Sequence, residues 1–233
     1  RRQGRSPIGG VVMRLRPRRF NPFALASVSR ARSRNVVGQR VLCVHCHPDP
    51  ESLMAAAFAR VTLALGERGT EVEIIDLYAD GFDPLMTVTD WIDHGREHEP
   101  AGPLAEHARL LRWADTLVFT YPTWYGSQPA MLKGWFDRVF TNGVAYRLEP
   151  GQTHIRGKLR NIRRLVVVTS HGSSKSINAI EGEPGKRVIT RGLRALCHPL
   201  CRTRWIPIYG VDRSTIEERE AWLDRVQREL TRA

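Results

Sequence analysis

The sequence predicts a doubly wound α/β fold on five parallel strands, and three observations carry that reading. Short apolar runs alternate with helix-like stretches from residue 41 onward, the pattern of a parallel sheet with crossover helices. One run, Leu165–Ser170 (LVVVTS), is unbroken and β-branched, as a strand buried on both faces requires. Polar loops carrying glycine, histidine or aromatic residues directly follow three of the strands, where an open α/β sheet binds its ligands.

Taken in order, Val41–His45 (VLCVH) reads as a buried first strand and Ser52–Leu65 as a helix that Gly66 and Gly69 bring to an end. Glu71–Asp76 (EVEIID) alternates as a second strand should. Residues 79–100 read as a polar connection containing Trp91, and Leu104–Ala114 as a helix with Leu104, Ala108, Leu110 and Leu111 on one side. Thr116–Tyr121 is the third strand, Pro129–Phe140 the third helix and Leu165–Ser170 the fourth strand. Lys186–Cys197 is a helix, Arg204–Tyr209 the fifth strand and Ser214–Leu230 the closing helix. Pro207 places that fifth strand at an edge, because proline cannot donate to a ladder on both sides. No internal repeat is visible.

The net charge of +12 on 233 residues suggests a nucleic-acid binder until it is mapped. Residues 1–40 hold 11 arginines and no carboxylate, and the other 25 Lys and Arg face all 24 Asp and Glu. The remainder is therefore almost neutral and has no basic field to attract nucleic acid. The leader, residues 1–40, reads as a disordered tail or as sequence upstream of a natural start, ahead of a transit peptide or a basic arm. The domain proper is expected over residues 41–233. No apolar run approaches the roughly 18 residues that span a bilayer, and the expected location is cytoplasmic.

Three motifs carry chemistry. His47-Pro-Asp-Pro-Glu-Ser52 leaves the first strand and enters the first helix. A helix starting there offers free N–H groups and a positive dipole end, a seat for phosphate; an ordinary N-capped loop explains it equally well. Tyr121–Pro129 (YPTWYGSQP) presents Trp124 and Tyr125 beside Gly126, which suits a planar heterocycle better than simple packing at a turn. Thr169–Ser174 (TSHGSS) presents small hydroxyls and Gly172 at the next strand end.

HPDPES, YPTWYGSQPAMLKGWFDRVFTNGVAY and VVVTSHG together resemble the flavodoxin-like NAD(P)H:quinone oxidoreductase family, quinone reductases and the ancillary reductases of potassium-efflux systems, over about residues 41 to 210. The resemblance implies a flavodoxin-like sheet of strand order 2-1-3-4-5. It implies a tightly bound flavin, FMN or FAD, with its phosphate near His47, Ser52, Leu53 and Met54. The ring would lie against Pro122, Thr123, Trp124, Tyr125 and Gly126 on one side and Thr169, Ser170, His171 and Gly172 on the other. It further implies NAD(P)H as hydride donor, a quinone or similar small-molecule acceptor, and a homodimer to which the Lys133–Val139 helix contributes.

The sequence departs from the family pattern at two places. Leu53-Met54 stands where many members carry an aromatic-Asn pair, so the backbone must serve the phosphate. The loop from Ile177 to Glu183 has neither the Tyr nor the His that some members use to balance charge on reduced flavin, which leaves His171 as the candidate catalytic group. A second reading keeps the flavin but makes the chain a regulatory or electron-carrier module that docks on a partner such as a transporter.

Cys43-Val-His-Cys46-His47 matches the haem attachment pattern, but strand alternation puts the two thiols on opposite faces. Adding Cys197 and Cys201 does not give zinc-ribbon spacing. Four reduced structural thiols and no metal are expected.

Overall fold

The computed structural model of the chain describes residues 39–149 and 151–232. Of the expected leader, only Gln39 and Arg40 fall inside that range. The elements run β1 (Arg40–His45), α1 (Leu53–Glu67), β2 (Glu71–Asp76), α2 (Val88–His94), α3 (Pro103–Trp113), β3 (Thr116–Pro122), α4 (Ala130–Val139), β4 (Tyr146–Arg147), β5 (Arg156–Gly157), β6 (Arg164–His171), α5 (Lys175–Ile180), α6 (Pro184–Arg187), α7 (Arg194–Leu196), β7 (Arg202–Tyr209) and α8 (Ile216–Arg232).

Five strands form one parallel sheet in the order β2-β1-β3-β6-β7, which is the expected 2-1-3-4-5 arrangement. The chain moves from β1 to one side for β2, then crosses to the other for β3, so the topological switch lies between β1 and β3. β7 is an edge strand, and Pro207 there pairs only with Thr169, in line with its missing N–H.

β1 and β3 are buried along almost their whole length, because helices cover both faces. On one side Leu42, Phe119 and Val167 meet Leu111 of α3 and Trp135 and Phe136 of α4. On the other, Val41, Val118 and Val166 meet Met54 and Val61 of α1 and Trp222 and Val226 of α8. Cys43 belongs to the second cluster and Cys46 to the first; all four cysteines are free and buried. Aromatic rings of Trp135, Phe136 and Phe140 meet edge to face or tilted at 5.4–5.8 Å, each contact worth about 0.5–1.5 kcal/mol beyond its buried area.

Sequence periodicity misplaces or misses four features. Residues 79–100 contain α2, started by a capping box between Thr87 and Asp90; the helix buries none of its residues, so it has no apolar period to detect. The expected Lys186–Cys197 helix starts earlier, at Pro184, and its middle, Val188–Leu193, is a π-helical segment that keeps Ile189 and Leu193 in the core. α5, six residues long, precedes it. The two-residue strands β4 and β5 pair antiparallel and are too short to carry a pattern.

The α2 segment clasps α4. Arg138 donates from Nε to Asp90 Oδ2 at 3.1 Å and from Nη1 to the Asp83 carbonyl at 2.6 Å, both side chains of the pair being 15% exposed. Gly134 makes the approach possible, since a Cβ there would lie 2.3 Å from the Pro84 carbonyl oxygen. Gly134→Ala is therefore expected to destabilise the chain by about 1–3 kcal/mol. Gly66→Ala, in α1 with open space around it, should stabilise by roughly 0.5–1 kcal/mol. Urea titrations of the two variants check the pair, and equal midpoints would refute the steric account.

Candidate functional site

The hydrogen-bond ladder continues past the ends of β1, β3 and β6 and holds their loops side by side. The Cys46 N–H donates to the Thr120 carbonyl at 2.9 Å, and the Thr123 N–H to that of Ser170 at 2.7 Å. Gly210, after β7, donates to Ser173 at 2.9 Å. All three motif loops thus occupy one edge of the sheet.

At β1 the loop turns into α1. Ser52 Oγ accepts from the Ala55 N–H at 3.1 Å, while the N–H groups of Leu53 and Met54 have no acceptor among the described residues. His47 Nδ1 lies 3.0 Å from both the N–H and the carbonyl of Asp49 and can accept from the one or donate to the other. Burial lowers the His47 pKa, opposed by Asp49. Two backbone N–H groups and a helix dipole end of about half a charge, with the His47 ring beside them, make a set that fits a phosphate. The Met54 side chain is in the core, so only its backbone faces the open helix end.

After β3, Trp124 and Ser127 exchange backbone hydrogen bonds of 3.0 Å in both directions and close a two-residue turn. Tyr125 and Gly126 at its tip have φ of 49° and 72°, the paired left-handed geometry of a tight hairpin. Glycine takes this freely, whereas tyrosine bears about 1–2 kcal/mol of strain. Tyr125 is fully exposed and Trp124 44% exposed; Tyr125 borders the groove described below, whereas Trp124 is not among its lining residues. α6 braces the turn: the Gly185 N–H donates to the Gly126 carbonyl at 3.0 Å, and a Cβ on Gly185 would lie 2.8 Å from Ser127 Cα. Buried Gln128 locks the arrangement by donating to Tyr121 Oη at 3.1 Å and the Gly185 carbonyl at 2.7 Å.

After β6, His171 is 4% exposed. Its Nδ1 hydrogen-bonds Asn178 Oδ1 at 2.8 Å, which leaves Nε2 as the acceptor, 3.5 Å from Thr123 Oγ1. The ring stacks on Tyr209 with centroids 4.6 Å apart. Tyr209 donates to Glu183 Oε1 at 2.7 Å, and Lys186 Nζ to Oε2 at 2.7 Å. Burial lowers the His171 pKa, while the Asn178 hydrogen bond and Glu183 oppose it. Burial, helped by Glu183, pushes the Tyr209 phenol up to about 12.

Thr123, Tyr125, Gly126, His171, Asn178 and Arg213 are among the residues around an open groove of about 820 Å³, within the range of cofactor sites. Gly172 and Ser173 line it as well. Pro122, Thr169 and Ser170 are buried beneath it. His47, Ser52, Leu53 and Met54 lie one strand away, at the end of β1, and do not line this groove. Sequence reasoning missed Asn178, Glu183 and Tyr209. Tyr209 ends a strand beside the motif loops, the one positional signal that could have found it; Asn178 and Glu183 carry none.

His45 lies at the same edge. Its Nδ1 meets Thr120 Oγ1 at 2.7 Å and its ring stacks on Phe58. Burial, reinforced by His47 and opposed by Asp76, takes its pKa down to about 4 from 6.5. A depressed folded-state value means the unfolded chain takes up the proton first as pH falls. Stability is expected to be full above about pH 6.5 and to drop by about 2–3 kcal/mol on going down to about pH 4. His45→Gln should flatten that part of the profile in urea titrations at successive pH values; an unchanged slope would contradict it.

Sequence comparison matches residues 39–232 to the flavodoxin-like fold family. An NAD(P)H oxidoreductase of Escherichia coli, YcaK, is 37% identical over 46% of this chain and 56% of its own length. NAD(P)H dehydrogenase [quinone] 1 of Cavia porcellus is 30% identical over 63% of this chain and 58% of its own length. The chain thus spans less than two thirds of both curated relatives. Among solved structures, the NAD(P)H:quinone oxidoreductase from Methanothermobacter marburgensis superposes with a TM-score of 0.70 at 25% identity, over 83% of this chain and 96% of that one. With its full sheet order and this match over residues 39–232, the chain belongs to the flavodoxin-like fold family.

Proposed function

We propose that the chain is an NAD(P)H-dependent flavin oxidoreductase that passes hydride from NAD(P)H by way of bound FMN or FAD to a quinone or a similar small acceptor. The observation that carries this reading is the meeting of the three loops at the carboxyl ends of β1, β3 and β6, with two free N–H groups at the first. The flavin, when bound, supplies the centre that accepts and donates hydride. The Leu53 and Met54 N–H groups would hold its phosphate, with the His47 ring beside them. The Pro122–Gly126 backbone and the Thr169–Gly172 loop flank the ring. Tyr125 stands at one side of the groove, with Trp124 next to it in the same turn.

His171 acts at Nε2. Because Nδ1 is committed to Asn178, Nε2 is the atom that takes up a proton when negative charge develops in the groove. Glu183 favours that protonation, and Tyr209 with Lys186 keeps the carboxylate in place. His171 from β6 and Tyr209 from β7 stand in for the His and Tyr that the Ile177–Glu183 loop lacks.

The chain works as a homodimer. The α2 segment packs on α4 at Gly134 and Arg138 and leaves Ala130 and Lys133 exposed, so the face offered to a second copy joins α4 to that segment, where Leu85, Val88, Trp91 and Ile92 are at least half exposed. So contiguous an apolar patch is uncommon on a monomer. The four unpaired thiols suit the reducing cytoplasm, and among the described residues no helix is long and apolar enough to cross a membrane.

Leu53→Pro tests the phosphate seat. It removes one N–H while keeping the helix, since proline suits the first helical position and Ser52 is already extended. Flavin affinity, followed by quenching of flavin fluorescence, should fall about 10- to 100-fold, as loss of a hydrogen bond to a charged group implies. Steady-state NADH or NADPH oxidation with menadione separates an enzyme from a carrier, and no turnover by flavin-loaded protein would sink the enzymatic reading. Trp91→Glu should turn a dimer into a monomer in sedimentation velocity, and an unchanged profile would place the interface elsewhere.

A further inference from the structure

The opposite edge of the sheet, at the amino ends of the strands, gathers positive charge. Register pairs Arg164, the first residue of β6, with Thr116 on one side and with Arg202, the first residue of β7, on the other. Val166 and Val168 pack on the face covered by α1 and α8, and alternation puts Arg164 on that same face. Arg202 shares it by register, as Arg204 does when it pairs with Glu229 of α8. Arg68 comes from the end of α1, its Nη1 donating to the Leu230 carbonyl at 2.9 Å and its Nη2 to Gln39 Oε1 at 3.3 Å.

Among the described residues, neither Arg164 nor Arg202 has a hydrogen bond or an ion pair to its guanidinium. Arg164 is only partly exposed. Its burial and then the charges of Arg68 and Arg202 pull its pKa below the ordinary arginine value, with Asp115 acting against them. Asp115 is already engaged, Oδ2 accepting from the Arg40 N–H at 3.0 Å and Oδ1 from Thr116 Oγ1 at 2.8 Å. The sequence ahead of Gln39 holds no carboxylate.

A purely structural role would have the arginines answer the dipoles of the two helix ends. Two helix C-termini supply together about one negative charge, and among the described residues Asp115 is the carboxylate that acts on Arg164. Guanidinium forks are shaped for phosphoryl oxygens. We propose that Arg68, Arg164 and Arg202 bind the phosphoryl group of an anionic ligand, at a site separate from the groove and independent of the flavin reading.

The test is calorimetric titration of the full chain with sodium pyrophosphate, against sodium chloride at matched ionic strength, and flotation with phosphatidylglycerol–phosphatidylcholine vesicles. The seat at α1 also takes phosphate, so wild type is compared with Leu53→Pro and with the Arg164→Gln/Arg202→Gln double variant. The double variant should lose, or weaken by about 10- to 100-fold, a class of pyrophosphate sites that Leu53→Pro retains. Flotation of wild type but not the double variant would assign the phosphoryl group to a lipid headgroup; pyrophosphate binding without flotation would assign it to a free ligand. Identical isotherms for wild type and double variant overturn the proposal. In chloride the double variant should melt at or above the wild-type midpoint, because repulsion is relieved. A clear fall would show that the arginines serve the fold instead, and would overturn it too.

Discussion

A parallel sheet covered by helices on both faces leaves its polar chemistry only two places to go, the two edges where the strands end. β1 and β3 are closed to water over nearly their whole length, as is β6 beyond its first residue. Polar side chains therefore gather at the strand ends, as His45, Thr169 and His171 do, and in the loops beyond them. Continuation of the ladder beyond the strands, through Cys46, Thr123 and Gly210, then holds those loops in register. The groove, the free helix N-terminus and the bracing of the 124–127 turn all follow from that one constraint. So does the gathering of arginines at the other edge, where the same burial collects the side chains that start each strand.

The carboxyl edge relies on neutral donors. Burial lowers the pKa of His45, His47 and His171 alike, so around pH 7 none of them adds a fixed positive charge, and the attraction for a phosphate comes from backbone N–H groups and the α1 dipole. An imidazole held neutral but beside a carboxylate responds when negative charge arrives, which a permanently charged lysine or arginine could not do. Glu183, held by Tyr209 and Lys186, provides that carboxylate without facing the groove as a free charge.

Much of this was legible in the sequence because burial writes itself as pattern. The β-branched runs gave all five strands within two residues, and Ser52 marked the start of α1 through the side chain that caps it. Pro207 disclosed the edge strand. The motif loops do meet at one edge of the sheet, and the Met54 side chain does turn into the core. α2 was hidden because it buries nothing. The π-helical stretch was hidden because its departure from 3.6 residues per turn leaves too few residues to show a period. Asn178, Glu183 and Tyr209 come together from three elements, and no local spacing records a contact made across the sheet.

The turn at Tyr125 has a consequence for how such a chain evolves or is engineered. A selection that rewards only heat resistance would replace this tyrosine with glycine or asparagine early, because relief of its left-handed backbone needs no compensating change elsewhere. The same replacement would strip the exposed ring from the rim of the groove. A bulky aromatic at a position where the backbone disfavours it therefore sets a ceiling on stability that the fold by itself does not require.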